Sequence, residues 1–212
     1  ATMNASRNQS YEFGFNVQFT QHWAFSLMGW VKNMDQMVTY KYSRSGVYDY
    51  QVADNQDYGS AKGIDFTLEN RGQLINSMIQ YTYSVAKGNS EYDFKSLGEE
   101  YKNAPSQEFL MPYDRPHDFA ASFYTFLPFG ISAGMNVFYQ SGYPYTPMIW
   151  NGDKPEEDKK NKNTKRSPAF KQANMMFSKG LMLNDFKVTM GLNIFNILNT
   201  KNELDVYPLS GT

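Results

Sequence analysis

The chain of 212 residues is 17% aromatic, contains no cysteine and carries a formal net charge of −1. Proteins that bind nucleic acid have a clear basic surplus, so this balance argues against a nucleic-acid partner. No run of the sequence approaches the roughly 20 apolar residues that a membrane-spanning helix needs. Any membrane role must therefore use strands, in which a lipid-facing side chain occupies only every second position.

Alternating side chains predict three strands in the first third of the chain. The clearest pattern lies between Tyr11 and Phe19, where aromatic or apolar residues alternate with polar or small ones over nine positions. Because the side-chain period of a strand is two, one face of this segment is apolar and the other is polar. The predicted strands cover 11–19, 23–32 with an extension over 37–42, and 47–52 continued by 64–69, with tight turns at 20–22 and near 71–73.

Five further strand patterns follow, separated alternately by tight turns and by long polar stretches. The last of them, FKVTMGLNIFNILN from residue 186, alternates as regularly as the first. The predicted strands cover 75–85, 117–127, 131–140, 169–179 and 186–198. The predicted tight turns lie at 128–130 and 184–185, and the predicted long loops cover 86–115 and 141–168.

Eight antiparallel strands result, with short turns at one end and long loops at the other. This asymmetry is typical of outer-membrane barrels, whose short turns are periplasmic and whose long loops are extracellular. It puts both chain ends on the extracellular side. We therefore expect an all-β fold in which residues 1–212 are the C-terminal portion of a larger transmembrane, antiparallel, up-and-down β-barrel. The alternative is a small barrel in which eight strands close on themselves.

Four segments resemble motifs of TonB-dependent outer-membrane receptors, and they occur in the order that the family shows. GLNIFNILNTKN at 191–202, followed by DVYPLSGT at 205–212, is similar to the near-C-terminal signature in which a strand ends in an N-x-F-N pattern. The other three are SYEFGFNVQF at 10–19, YGSAKGIDFTLENR at 58–71 and YDRPHDFAASF at 113–123, which resemble a strand motif, a Y-G segment and a D-x-x-H strand opener of that family.

This resemblance implies a 22-stranded barrel with an N-terminal plug, driven from the inner membrane through TonB. The plug, its TonB contact segment and the final strand are not in this sequence. GYPYTP at 142–147 and VYPLSGT at 206–212 resemble receptors of the Bacteroidetes type, which often pair with a surface lipoprotein. The partners expected are the remainder of the barrel and plug, the TonB complex, outer-membrane lipid and, as a further candidate, a surface lipoprotein.

The polar face of the predicted strands supplies candidate residues for the lining of a lumen. Their carboxylates and amides could contact a substrate, or could form hydrogen bonds and ion pairs within the barrel wall. The second interpretation is favoured. The candidates are Glu12, Asn16, Asp65, Glu69, Gln80, Asn136 and Asn193.

Aromatic residues of the long loops are the candidate ligand contacts. Tyr143, Tyr145 and Trp150 follow a strand at its outward end, where rings either stack on a sugar or peptide ligand or anchor at the membrane interface. Residues 93–103 have apolar side chains, including Tyr101, at helical spacing, which predicts a short loop helix suited to a lid or a partner contact.

The sequence offers no catalytic or metal-binding constellation. His22 and His117 are too few and too far apart for a metal site or a catalytic triad. We therefore expect no cofactor and no enzymatic activity. The stretch 153–166 consists almost entirely of charged or amide residues, which predicts a hydrated loop tip.

The predicted function is active transport of a scarce nutrient across the outer membrane through a plugged barrel. The sequence leaves open whether the nutrient is a siderophore, cobalamin, an oligosaccharide or a peptide. Two other functions stay open. One is a passive porin or structural barrel without a plug, and the other is a secreted soluble β-sandwich or calyx, in which the apolar face would form an enclosed core.

Overall fold

The computed structural model describes residues 3–89 and 108–211. Strands dominate this part of the chain. They are β1 Arg7–Gln18, β2 Trp23–Ser45, β3 Tyr48–Arg71, β4 Ile75–Gly88, β5 Phe109–Leu110, β6 His117–Leu127, β7 Ile131–Gln140, β8 Pro144–Tyr145, β9 Met148–Asn151, β10 Lys154–Glu157, β11 Lys165–Arg166, β12 Phe170–Leu183 and β13 Phe186–Ile194.

Eight of these strands form one antiparallel sheet in the order β1-β2-β3-β4-β6-β7-β12-β13, and β5 pairs with β4 beside this path. Each long strand is hydrogen-bonded to the next long strand along the chain, so the predicted all-β, up-and-down topology is confirmed. Among the described residues β1 and β13 do not pair with one another. The sheet is therefore open, unlike a closed eight-stranded barrel.

The hairpin formed by β2 and β3 has close to the predicted extent and is continuous between the runs predicted for each strand. The runs 23–32 and 37–42 are one strand of 23 residues, and the runs 47–52 and 64–69 are one strand of 24 residues. A β-bulge interrupts the register between Met34 and Met37. At the bulge Gln36 has a φ of 55°, and its carbonyl accepts a hydrogen bond from Asn55 Nδ2 at 2.8 Å. Bulges re-aim a strand without ending it, which is why two short patterns belong to one element.

The last strand is shorter than predicted, ending at Ile194 and not at residue 198. Asn196 ends it, because its φ of 52° lies in the left-handed region that strands do not use. Its amide N–H donates to Asn174 Oδ1 at 2.9 Å, and its own Oδ1 accepts from the Thr200 amide at 3.1 Å. Asn196, the second asparagine of the N-x-F-N signature, therefore closes a turn. Beyond it the chain again runs beside β12, where the Ile197 amide donates to the Ala173 carbonyl at 2.8 Å.

The long loops contain more regular structure than their sequences predict. The segment 141–168 holds four short strands, with β8 pairing β11 and β9 pairing β10. The strand predicted at 169–179 continues to Leu183, whereas β6 and β7 have the predicted bounds. The helix predicted at 93–103 lies outside the described residues.

The sheet has one apolar and one polar face, because residues opposed across a ladder share a face. One such row, Phe15–Leu27–Phe66–Tyr81–Phe119–Tyr139, crosses six strands of the apolar face. The adjacent row of the polar face contains Asn16, Ser26, Thr67, Gln80 and Ala120. Because the strands pair in this register, the alternation of apolar and polar side chains in β1 continues across the neighbouring strands.

The described protein does not cover the apolar face. Phe13, Met190 and Leu192 are 83%, 62% and 57% exposed. Only five hydrophobic residues in the described part of the chain are buried, and they are Phe109, Met111, Ala121, Ala173 and Val206. A sandwich or calyx would enclose this face as its core, and here it is open. No helix among the described residues is long and apolar enough to cross a membrane.

The apolar face is a band of even height that runs obliquely over the strands. It extends from Tyr11 in β1 to Phe19, the residue after β1, and from Phe186 to Ile194 in β13, eight residue steps in each case, or about 27 Å of strand. Ile194, at the loop end of the band in β13, lies in the same hydrogen-bonded row as Trp23, at the turn end of β2. From β1 to β13 the band therefore shifts toward the turns by about one residue for each strand crossed. With strands about 4.8 Å apart, this slope corresponds to a tilt of roughly 40°. Barrel strands tilt by 35–45°.

Candidate functional site: the polar face and its loop end

The structure places all seven candidate lumen-lining residues on the polar face. A row of that face near the loop end joins side chains of five strands. Asp65 accepts hydrogen bonds from Trp30 Nε1 at 2.9 Å and from Thr82 Oγ1 at 2.7 Å. Asp118 lies opposite Thr82 and accepts from Gln140 Nε2 at 2.8 Å. Asp65 thus accepts hydrogen bonds from the strands on both sides of it, and a half-buried, hydrogen-bonded carboxylate of this kind holds neighbouring strands together.

The other candidates on this face lie at different heights. Glu12 accepts from Ser10 Oγ at 3.2 Å near the loop end of β1. Glu69 pairs with Arg71 at 2.6 Å near the turns, where the Arg71 side chain is 79% exposed, so this ion pair contributes little stability. Asn16, Gln80, Asn136 and Asn193 occupy polar-face positions of β1, β4, β7 and β13.

A depression of about 400 Å³ lies at the turn end of the polar face. Glu69, Arg71, Asn76 and Asn136 supply its polar lining. Gly134 forms part of it and is covered by the Met176 side chain, whose Cγ would lie 2.8 Å from a Cβ at position 134. This site was not predicted, because the residues that form it come from five strands that only the register brings together.

At the loop end, Tyr143 is held by a stacked cation. The Arg115 guanidinium carbon lies 3.8 Å from the centre of the Tyr143 ring, and Arg115 Nη1 donates to Gln140 Oε1 at 2.5 Å. Arg115 Nε is buried and has no hydrogen-bond partner among the described residues. Through Gln140 the pair is linked to Asp118 of the polar face. Tyr143 itself is 47% exposed, so one side of a fixed aromatic ring is free at this end of the sheet.

The backbone that carries Tyr143 is locked against the returning strand. The Tyr143 carbonyl accepts from the Ser167 amide at 2.9 Å. A Cβ on Gly142 would lie 1.7 Å from the Ser167 carbonyl oxygen, so only glycine permits this approach. Tyr145, in β8, is half-buried, and its hydroxyl oxygen would lie 2.8 Å from a Cβ at position 211. The Tyr143 ring therefore belongs to a segment whose backbone is held in place.

The remaining aromatic candidates do not converge on Tyr143. Trp150 lies in β9, opposite Pro155, and is 64% exposed. Tyr101 lies outside the described residues. The structure therefore brings one of the four predicted ligand contacts, Tyr143, next to polar-face residues.

A buried ion pair ties the loop segments into one platform. Asp114 is 2% exposed, forms a close ion pair with Arg166 and accepts from the Ala86 amide at 2.6 Å. Arg166 also donates to the carbonyls of Asp114 at 3.0 Å and Gly142 at 3.2 Å. The Arg166 guanidinium therefore connects the segment before β6 to the segment after β7.

Further polar contacts continue this platform. Asn163 is buried, and its Nδ2 donates to the Leu110 carbonyl at 2.7 Å. The Met148 amide donates to the Pro208 carbonyl at 3.1 Å, which attaches the segment after β13 to β9. The prediction of a hydrated tip over 153–166 is therefore wrong for Asn163, which is buried, and for Arg166, which is half-buried.

Sequence reasoning missed Asp114, Arg115 and Arg166. The YDRPHD segment was noticed as a strand opener, but nothing in its spacing shows that its aspartate meets an arginine 52 positions away. Residues that could hold a metal are also lacking where the chain is described, since no group of three His, Cys, Asp or Glu converges there.

The fold is that of an outer-membrane β-barrel wall. The chain is similar to the crystal structure of the outer membrane transporter YddB from Escherichia coli, with a TM-score of 0.71 and 11% sequence identity. This likeness covers 97% of the chain and 30% of the transporter, so the chain spans less than a third of that structure. No protein-family model matches the sequence, and no curated protein sequence does.

Proposed function

We propose that the chain is part of the barrel wall of an outer-membrane transporter, with the apolar face in lipid and the polar face toward a lumen. The observation that carries the proposal is the uncovered apolar band, about 27 Å along each strand and tilted by roughly 40°. A transmembrane β-strand needs about 9–11 residues at such a tilt. In water this band would expose far more contiguous apolar surface than a monomeric protein tolerates.

Single-cysteine labelling tests this orientation in the full-length protein, because the chain has no cysteine of its own. In outer membranes, Leu192→Cys should react with a lipid-soluble maleimide and resist a charged one. The matched variant Asn193→Cys, one residue along, should show the opposite preference if its face lines a water-filled lumen. Equal reaction of both variants with the charged reagent would contradict a lipid-embedded sheet.

The proposed activity is nutrient import energised by TonB through a plug carried elsewhere in the protein. The motifs at 10–19, 58–71, 113–123 and 191–202 and the fold of a transporter support this proposal. Uptake should cease when TonB is deleted, whereas a passive porin would continue to conduct. TonB-independent uptake of the same solute would therefore favour the porin alternative.

Within this activity, Tyr143 is the proposed ligand contact at the outer mouth. Its ring is fixed from one side by Arg115 and is exposed on the other, which is the arrangement of a preformed stacking surface. Tyr143→Ala should weaken nutrient-limited growth, and Tyr143→Phe, which keeps the ring, should not. Tyr113→Ala serves as the control, because Tyr113 is 62% exposed in the same platform. Equal growth of all three variants would exclude Tyr143 as a ligand contact.

A further inference from the structure

Five residues on five neighbouring strands form a line along the loop end of the apolar band. We call them the outer line, and they are Lys62, Tyr83, His117, Tyr139 and Lys171. Tyr83 is directly opposite His117, and Tyr139 is directly opposite Lys171. These pairings put one tyrosine ring beside an imidazole and the other beside a lysine on the face that we propose is in lipid.

The two lysines of the outer line lie at the same height. The hydrogen-bonded row of Lys171 meets β3 at Phe66, four residues closer to the turns than Lys62. Four strand spacings separate β3 from β12, and the band drops by about one residue for each strand crossed. The four-residue offset between the two lysines therefore equals the shift of the band over four strands. Both ammonium groups thus lie at the loop-end boundary of the apolar band.

Neither lysine is neutralised by a carboxylate in the described part of the chain. Lys87, on the same face, is paired with Glu108 at 3.7 Å. Lys171 Nζ instead lies 6.0 Å from the centre of the Tyr139 ring. A lysine at a lipid-facing position is tolerated when its ammonium reaches the interface, where long side chains extend toward the headgroups.

The aromatic members of the outer line have the composition of a membrane-interface girdle. Tyr81, one row below, holds His117 through a contact of 2.8 Å between its hydroxyl and Nδ1. The Tyr83 ring lies 5.4 Å from the His117 ring. Tyrosine rings concentrate at the headgroup level because one end is apolar and the other is polar. The unpaired cations therefore lie at the depth where lipid phosphates are the available anions.

We propose that the outer line binds the phosphate groups of anionic lipids in the outer leaflet, through Lys62 and Lys171 as two separate contacts. The lysines are four strand spacings apart across the sheet and four residues apart along the strands, or about 23 Å, which is too far for one phosphate. This proposal rests on the membrane orientation given under Proposed function. It adds a lipid selectivity that the barrel fold by itself does not require.

The test compares full-length protein in nanodiscs of phosphatidylcholine with and without a minority of phosphatidylglycerol. Enrichment of phosphatidylglycerol around the protein is measured by native mass spectrometry. Lys62→Gln and Lys171→Gln should each reduce the affinity of one of the two contacts about fivefold, and the double variant should reduce the affinity of both contacts by that factor. Lys187→Gln is the matched control, because Lys187 lies on the polar face of β13 and should leave the enrichment unchanged.

Unchanged enrichment in the double variant, or an equal loss in Lys187→Gln, would overturn the lipid site. The cysteine-labelling experiment separates this failure from failure of the proposed function. If the protein inserts with Leu192 in lipid but shows no preference for phosphatidylglycerol, only the lipid site is wrong. If it does not insert, the barrel function and the lipid site are both wrong.

Discussion

An arginine introduced at successive depths of β13 tests the membrane position of the sheet quantitatively. The apolar band of this strand runs from Phe186 to Ile194, so Met190 lies at its centre. Leu192 lies two residues closer to the loop end, and at a tilt of roughly 40° this is a rise of about 5 Å. Asn193, the next residue, is opposite Met176 on the polar face.

The expected costs follow from depth and from facing. Arginine on the lipid face of a barrel costs about 2–4 kcal/mol at the bilayer midplane and about 0–1 kcal/mol near the interface. Met190→Arg should therefore destabilise the protein by about 2–4 kcal/mol. Leu192→Arg, part of the way to the interface, should cost about 1–3 kcal/mol. Asn193→Arg should cost less than about 1 kcal/mol, because its side chain points away from lipid.

The assay is urea unfolding of the full-length protein in phospholipid vesicles, followed by heat-modifiable mobility on gels. The three variants all introduce arginine into the same strand, so the strand propensity of the new residue is the same in each. The reasoning would be refuted if Asn193→Arg were as damaging as Leu192→Arg, since this would contradict the register. A larger loss for Leu192→Arg than for Met190→Arg would contradict the position of the band's centre.

Three further substitutions test local features. Asp114→Asn should raise hydrogen exchange at the Ala86 amide by destabilising the loop platform by about 1–3 kcal/mol, whereas Glu69→Gln, which breaks an exposed ion pair, should cost less than about 1 kcal/mol. Gly63→Ala should lower the free energy of unfolding in urea by about 1–3 kcal/mol, because the new Cβ would lie 2.6 Å from the Trp30 ring. Gly29→Ala, whose nearest neighbour would be 3.9 Å away, should be neutral, and equal effects of the two glycine variants would show that packing does not decide them. Asn196→Ala should lower the free energy of unfolding by about 2–3 kcal/mol, because it strains φ and removes hydrogen bonds. Asn196→Gly relieves only the strain and should recover about 1 kcal/mol of this loss. Identical stability of the two variants would argue against a conformational role for the asparagine.

The sequence by itself determined where most strands lie and which face each presents. Alternation with a period of two is a local property, and it is strongest where one face is in contact with a uniformly apolar environment. For this reason the bounds of β6 and β7 were predicted to the residue, and so was the polar facing of Asp65 and Gln80.

The sequence was less informative wherever a local irregularity or a polar segment intervened. The bulge near Gln36 made one long strand look like two runs. The charged composition of 153–166 suggested full hydration, yet its last residue is half-buried against Asp114. A side chain's burial depends on what faces it, which composition does not record.

Only the tertiary structure decided how the strands are staggered and which loop residues meet. The register between neighbours sets the tilt of the band, the common height of Lys62 and Lys171, and the closeness of Arg115 to Tyr143. Each of these depends on contacts between residues far apart in the chain, and a shift of a strand by two residues would keep every side chain on its face. Many different registers between neighbouring strands would keep the same alternating pattern. The pattern therefore determines which face each side chain is on, but not which side chains meet to form a site.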